Sequence, residues 1–310
     1  MMEQNPRDSF ICLNQAHSTT RRIWQGSLDH LPDKLDGLFG GLRSRGYGKA
    51  TSADAPLLTV VIPVRNGAKT LREAIRSVIQ QSYHNIELIV IDGMSEDDSL
   101  SIIREFEPWI DLWISAPDEG VYDAMHKGVA LASGEWLYFL GCDDVALNCF
   151  HLVAGLLQDA HAIYHGDVYS YRKNNLIGGP FSARKLIRKN IPHQAIFYPS
   201  SVFDIYAYDL QYAIAADYHL NVRCFAGGRY SFVHMPLLIA VYNDMDGLSS
   251  RYTDGAFAAV EQEFKKKHFS AFVYTEYIVR NVLRKIERRM KKLFSHSRNE
   301  KSISYNHERF

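Results

Sequence analysis

Residues 57–64, LLTVVIPV, carry no charge, and five of the eight are β-branched. A run this short and this apolar predicts a strand buried on both faces, because a strand with one wet face would alternate apolar and polar residues. Such a strand needs a covering layer on each side, and the next ninety residues supply the pieces. TLREAIRSVIQQS (70–82) places Leu71, Ala74, Ile75, Val78 and Ile79 on one helical face. IELIVID (86–92) is a second buried strand, SLSIIREFE (99–107) a helix, and DLWISAP (111–117) a third strand. GVYDAMHKGVALAS (120–133) reads as a turn and a helix, and EWLYFLG (135–141) as a fourth strand. Strand–helix alternation of this kind predicts an α/β fold with a mainly parallel central sheet flanked by helices. Residues 145–240 are less regular, with strands expected in AIYHGDVYSY, QAIFYP and YSFVHMPLLIAVY and a helix over 215–225. Three parts follow: a lead-in over 1–55, a main α/β domain over 56–254, and a C-terminal helical extension over 255–310.

Charge narrows the partners. Lys plus Arg and Asp plus Glu both number 35 among 310 residues, so no chain-wide basic footprint exists for nucleic acid. Cys12, Cys142, Cys149 and Cys224 are scattered without CxxC spacing, which argues against structural zinc and disulfides and for a reducing, cytoplasmic setting. MMEQNPRDSF lacks the basic and apolar regions of a secretory signal, and no stretch is long and apolar enough to predict a membrane-spanning helix.

Ligands of open parallel sheets bind beyond the carboxyl ends of the strands. The polar clusters fall there: Arg65-Asn66, Asp92, Asp118-Glu119 and Asp143-Asp144. Adjacent carboxylates repel each other unless a cation joins them. A divalent ion with a diphosphate ligand meets that need, since Mg2+ and Mn2+ take one or two carboxylates plus phosphate oxygens. A solvated helix cap would use the same Asp pair equally well. Asp92 suits either a base or ribose contact or a helix start in IDGMSEDDS.

TVVIPVRNGAKTLREAIRSVIQQSYHNIELIVIDGMSEDDS resembles the opening of family 2 glycosyltransferases of the GT-A fold, which bind nucleotide-sugars. APDEGVYDAMHKGVALASGEWLYFLGCDD resembles the middle segment of a bacterial polysaccharide-biosynthesis branch, and the likeness runs from about residue 57 to 252. The resemblance implies roles position by position. Pro63, Val64 and Asn66 match the first nucleotide-binding loop, and Asp92 the acidic residue that holds base or ribose. Asp118 and Lys127 lie in the next nucleotide-facing segment. Asp143 and Asp144 match the metal motif, with Asp144 the direct ligand and Asp143 facing metal and donor. Asp217, in IAADYHLNVR, matches the carboxylate that serves as general base in inverting members. The implied cofactor is Mn2+ or Mg2+, the co-substrate a nucleotide-sugar, and the acceptor a saccharide or a lipid-linked saccharide.

Gly141 stands where many members carry another Asp, Ala216 where many carry Glu, and Met125-His126 where many carry Arg-Asn. These departures favour an alternative, a catalytically silent nucleotide- or saccharide-binding protein of the same fold. A dinucleotide-dependent oxidoreductase fits poorly, because IPVRNGA replaces GxGxxG after the first strand. His193-Gln194 suits an acceptor or diphosphate contact, or a structural histidine. The loop over 247–251 suits closure on the donor through Arg251, or a plain surface loop. In the tail, Val279, Val282, Leu283, Ile286, Met290, Leu293 and Phe294 form a stripe flanked by Arg280, Arg284, Lys285, Arg288, Arg289, Lys291 and Lys292. A basic amphipathic helix over 278–294 suits an anionic membrane surface, or packing on its own domain or a partner subunit. Residues 295–310 read as polar and disordered.

Overall fold

The structure, a computed structural model, describes residues 22–23, 38–52, 54–245 and 253–304, with backbone alone at 22–23 and 292–304. The first expected strand is β2 (Leu58–Val64), buried along its whole length. Its side chains alternate between two cores. Val61 joins one cluster, while Leu58, Val60, Ile62 and Val64 join the other. α1 (Leu71–Ile79) covers the second side through Leu71, Ala74, Ile75 and Val78, each worth up to about 1.5–3 kcal/mol for its larger members. β3 (Ile86–Asp92) divides the same way, with Ile89 and Ile91 facing one cluster and Leu88 and Val90 the other. α2 (Ser99–Glu105) stops earlier than expected, because Pro108 sits in a 3-10 turn over Glu107–Trp109 that leads into β4 (Leu112–Ser115). α3 (Val121–Leu131) returns the chain to β5 (Trp136–Phe139).

β2 pairs in parallel with β3 and β5, and β3 with β4, so the four strands share one carboxyl edge. The second half is mixed. A short β6 (Val145–Ala146) and α4 (Phe150–Leu156) precede β7 (Ala162–Ser170), on which β8 (Asn175–Ile177) folds back. α5 (Ala183–Leu186) leads to β9 (Ile196–Pro199), which inserts antiparallel between β5 and β7. α6 (Ala216–Gly227) precedes β10 (Ser231–Tyr242), which runs parallel to β7. The ten-stranded sheet reads β1-β4-β3-β2-β5-β9-β7-β10-β6, with β8 on β7. Its first member, β1 (Phe39–Gly40), comes from the lead-in and pairs antiparallel with β4.

Next to β1, buried Arg43 donates to Glu87 at 3.2 Å and to the Leu131 carbonyl at 2.5 Å. Lys49 reaches Asp111 at 2.8 Å. At the other terminus α7 (Gly255–His268) packs Phe257 and Phe264 into the core beside Tyr212, Tyr218 and α6. α8 (Ala271–Ser304) docks through Val273, Tyr274 and Tyr277 and continues to Ser304, past the disordered end expected from residue 295.

Candidate active site

The edge beyond β2–β5 is stitched together by loop-to-loop hydrogen bonds. Asn66 adopts the left-handed backbone conformation (φ 54°), which Asn tolerates better than most residues. Its N–H donates to Ser95 Oγ at 2.8 Å, and its Oδ1 accepts from the Glu96 N–H at 2.8 Å. The Gly67 N–H reaches Ser99 Oγ at 3.0 Å, and the Ala68 N–H reaches Asp97 Oδ2 at 2.9 Å. The polar run after β3 therefore holds the loop after β2, and the side chain of Asp98 makes no hydrogen bond as the N-cap of α2. Pro63 and Val64 are buried in β2, so the atoms they offer a ligand are backbone.

Asp92 is fully buried. Its Oδ1 accepts from Ser95 Oγ at 2.5 Å and its Oδ2 from Ser115 Oγ at 2.5 Å, so the carboxylate braces the β3 and β4 ends. Asp118 accepts from the Gly120 N–H at 3.0 Å and faces Arg65 at 4.0 Å. Burial pushes its carboxyl above the usual range, against the pull of Gly120, Lys127 and Arg65. Asp118 lies over Gly93, where a Cβ would come within 2.1 Å of its Oδ2. Lys127 donates to the Pro117 carbonyl at 2.6 Å and to Asp123 at 2.9 Å, which ties α3 to the turn carrying Asp118.

Asp143 and Asp144 follow β5, and Asp144 is buried. Its Oδ2 accepts from Gln194 Nε2 at 3.0 Å and its Oδ1 from the Asn243 N–H at 2.9 Å. Both donors are neutral. Burial first, and the neighbouring Asp143 second, drive the Asp144 carboxyl well above its ordinary value. Gly141 explains how the two carboxylates fit: a Cβ there would lie 2.6 Å from Asp144 Oδ2 and 2.9 Å from Asp143 Oδ1. An Asp at this position would push the pair apart.

Asp217 opens α6 and is partly buried. Its Oδ2 accepts from Asn190 Nδ2 at 2.8 Å and its Oδ1 from the Tyr218 N–H at 2.7 Å. Tyr122, in the first turn of α3, stands beside it and donates to the Ile214 carbonyl at 2.7 Å. Burial pushes the Asp217 carboxyl up to about 6, partly offset by these donors. His126 accepts the Tyr208 N–H at 2.9 Å, and burial lowers its pKa, as suits a neutral acceptor. His126 thus holds Tyr208 against Tyr122, with ring centroids 5.1 Å apart.

One segment joins the two acidic centres, since Asn190 bonds Asp217 and Gln194 bonds Asp144. Of the His193-Gln194 pair, Gln194 reaches the site, while burial holds His193 at about 4. Asn190, Asn243 and Tyr122 were missed by sequence reasoning, because nothing local marks an Asn or Tyr that acts through a distant contact. The loop over 247–251 lies outside the described residues.

A divalent ion fits the residues present. A buried carboxylate with a raised pKa and an acidic neighbour gains from a cation, and phosphate oxygens and water would complete the coordination. No group of three or more His, Cys, Asp or Glu suited to a metal occurs among the described residues, so the protein alone would supply an open, two-carboxylate site.

Solved structures share this architecture. S. aureus TarS 1–349 in complex with UDP-GlcNAc gives a TM-score of 0.51 at 17% identity, over 64% of this chain and 62% of that one. The mannosyltransferase PcManGT from Pyrobaculum calidifontis, in complex with GDP-Man and Mn2+, gives 0.50 at 14% identity, over 74% and 67%. At such identity the likeness is one of fold, and the fold is that of GT-A glycosyltransferases. Sequence goes further. A PGL/p-HBAD biosynthesis glycosyltransferase of Mycobacterium bovis is 37% identical over 212 residues, 66% of this chain and 83% of that protein. An uncharacterized glycosyltransferase of Mycobacterium tuberculosis is 35% identical over 186 residues, 54% of this chain and 69% of that protein. The family model described as glycosyl transferase family 2 matches residues 59–232, more than half of the chain. The chain is a glycosyltransferase and belongs to family 2.

Proposed function

We propose that this enzyme moves a sugar from a nucleoside diphosphate donor to a hydroxyl of a saccharide or lipid-linked acceptor, with inversion at the anomeric carbon. The carrying observation is the pair of acidic centres joined by residues 190–194: Asp144, buried with no cationic partner among the described residues, and Asp217, held near 6. The UDP-GlcNAc and GDP-Man complexes of the structural neighbours and the glycan-biosynthesis name of the M. bovis relative support the same reading.

Asp143 and Asp144 would hold Mn2+ or Mg2+, which when bound supplies positive charge against a departing diphosphate. The loops carrying Asn66, Asp92 and Asp118 shape the nucleotide side, with the backbone of Pro63 and Val64 beneath them and Lys127 anchoring the Asp118 turn. Asp217 takes the proton from the acceptor hydroxyl as that oxygen attacks. A carboxyl near 6 is ionised at neutral pH and more basic than an ordinary Asp, which suits a general base. One displacement of this kind inverts configuration and uses positioning and electrostatics, with no covalent enzyme intermediate.

None of the described helices is long and apolar enough to cross a membrane. We place the enzyme in the cytoplasm, touching the inner face of the cell membrane through α8. Past Tyr277 its apolar side chains Val279, Val282, Leu283, Ile286 and Met290 are about half exposed, amid Arg280, Arg284, Lys285, Arg288, Arg289 and Lys291. Two such basic faces would repel each other in a dimer, whereas anionic lipid complements them. Co-sedimentation with phosphatidylglycerol vesicles, lost on Leu283→Glu with Ile286→Glu, tests this contact.

The reaction is tested by incubating the protein with UDP- and GDP-sugars, with Mn2+ or Mg2+, and following sugar release or transfer. Turnover that a chelator abolishes supports the proposal. Full turnover under strict chelation removes the metal role, and tight nucleotide binding without turnover points to a silent binding protein.

A further inference from the structure

Asp217 sits at the end of a side-chain relay that crosses three elements. Tyr198, in β9 and fully buried, donates its hydroxyl to Asn221 Oδ1 at 2.7 Å. Asn221, in α6 and fully buried, donates Nδ2 to Asn190 Oδ1 at 2.9 Å. Asn190, in the connection before β9, donates Nδ2 to Asp217 Oδ2 at 2.8 Å. We propose that Asn190 is a positioning residue for Asp217, itself aimed by Asn221 and Tyr198. The proposal rests on the reading of Asp217 as general base and adds to it the device that sets the base's orientation.

The chemistry of the groups gives the relay a direction. An ionised carboxylate only accepts, so Asn190 must present its NH2. The Asn190 oxygen then faces Asn221, which must present its NH2 in turn, and the Asn221 oxygen calls for a donating hydroxyl on Tyr198. The charge on Asp217 thus selects one orientation of both amides. Of its other donors, the Tyr218 N–H comes from the next residue along the chain and moves with it, and the Tyr122 hydroxyl is shared with the Ile214 carbonyl. Asn190 instead ties the carboxylate to β9 and α6. The titratable groups facing Asp217 are Tyr122 from α3, Tyr208 from the stretch before α6, and Tyr198 from β9. Each is a hydroxyl that burial keeps neutral, and no lysine, arginine or histidine ion-pairs with Asp217 among the described residues. The relay therefore meets the ionised base with a neutral donor where Glu87 has an arginine.

The test is an NMR titration of the full chain with 13C-carboxyl-labelled Asp, the Asp217 signal being the one lost in Asp217→Asn. Asn190→Ala is expected to raise its midpoint by about one pH unit, the size of a lost charge-assisted hydrogen bond. Tyr198→Phe, which keeps the ring and its packing, is expected to raise it by a smaller amount in the same direction. An unmoved midpoint in Asn190→Ala, with unchanged circular dichroism, overturns the positioning role. If Asn190→Ala fails to fold, Tyr198→Phe decides: an upward shift supports the relay and an unmoved midpoint overturns it. Full sugar transfer by Asp217→Asn overturns the base reading separately, whatever the titrations give.

Discussion

The two edges of the parallel sheet partner their carboxylates differently. At the amino edge, Glu87 receives Arg43 at 3.2 Å, Thr59 Oγ1 at 2.6 Å and the Ser133 N–H at 2.7 Å, while Asp111 receives Lys49 at 2.8 Å. At the carboxyl edge, Asp118 has only an exposed arginine at 4.0 Å as ion-pair partner, and Asp92, Asp144 and Asp217 receive serines, amides and backbone N–H groups, with no cation on these three among the described residues. A buried carboxylate closed by an arginine is finished chemistry, since the guanidinium keeps its proton at any working pH. A buried carboxylate closed by neutral donors is stable as scaffold but remains open to a metal ion or a proton. Fold and function thus use one residue type at two ends of the same strands, and the partner decides which.

The comparison can be broken at either end. The largest effect is expected from Asp217→Asn, which should lower transfer by about 10²- to 10⁴-fold while the protein stays folded. Reversal of the Asn190 and Asn221 amides accommodates the new NH2, so circular dichroism should match the parent. Arg43→Met should do the reverse, leaving the site chemistry in place but destabilising the fold by about 3–5 kcal/mol in urea unfolding, because Glu87 is left buried without its cation. A variant as stable as the parent would show that the amino edge does not need its charges.

A smaller effect sharpens the contrast. UDP at about a hundred times its dissociation constant in the presence of Mn2+ should stabilise the protein by about 2.7 kcal/mol. Asp144→Asn should lose most of that gain in thermal melts, whereas Arg43→Met should keep it. An effect of similar size is in pH. Asp217 titrates near 3.9 when unfolded and about 6 when folded, so the folded state holds its proton longer. Its contribution to stability is therefore fully present below about pH 4 and lost as pH rises through 6. The stability difference between the parent and Asp217→Asn should change across that window and stay flat above it; a flat difference throughout would put the folded carboxyl back in the ordinary range.

The carboxyl edge was largely legible in the sequence because each of its strands announces itself locally. LTVVIPV and IELIVID became β2 and β3 nearly residue for residue, and the polar residues that follow them fell at the expected ends. The contacts that give those residues their character were not legible. Gln194 meets Asp144 from 50 residues away, and Asn190 meets Asp217 across 27. Hydrophobic periodicity carries no information about such pairings. Nor does it find strands of two residues, such as β1 and β6, which exist because a neighbour offers an open ladder. Gly141 was legible as a departure from relatives, but its meaning, room for two converging carboxylates, required the coordinates.

The arginine clamp at the amino edge also sets an order in time. Arg43 is made 44 residues before Glu87 and 88 residues before the Leu131 carbonyl that completes its pocket. At synthesis rates of about 5–20 residues per second, it waits about 4–18 s for its last partner. β1 can join the sheet only after β4 has been made, so this part of the lead-in waits for a strand that follows it. Until then the growing chain carries a bare β4 edge, and Glu87 lacks the Ser133 N–H that completes its set of donors.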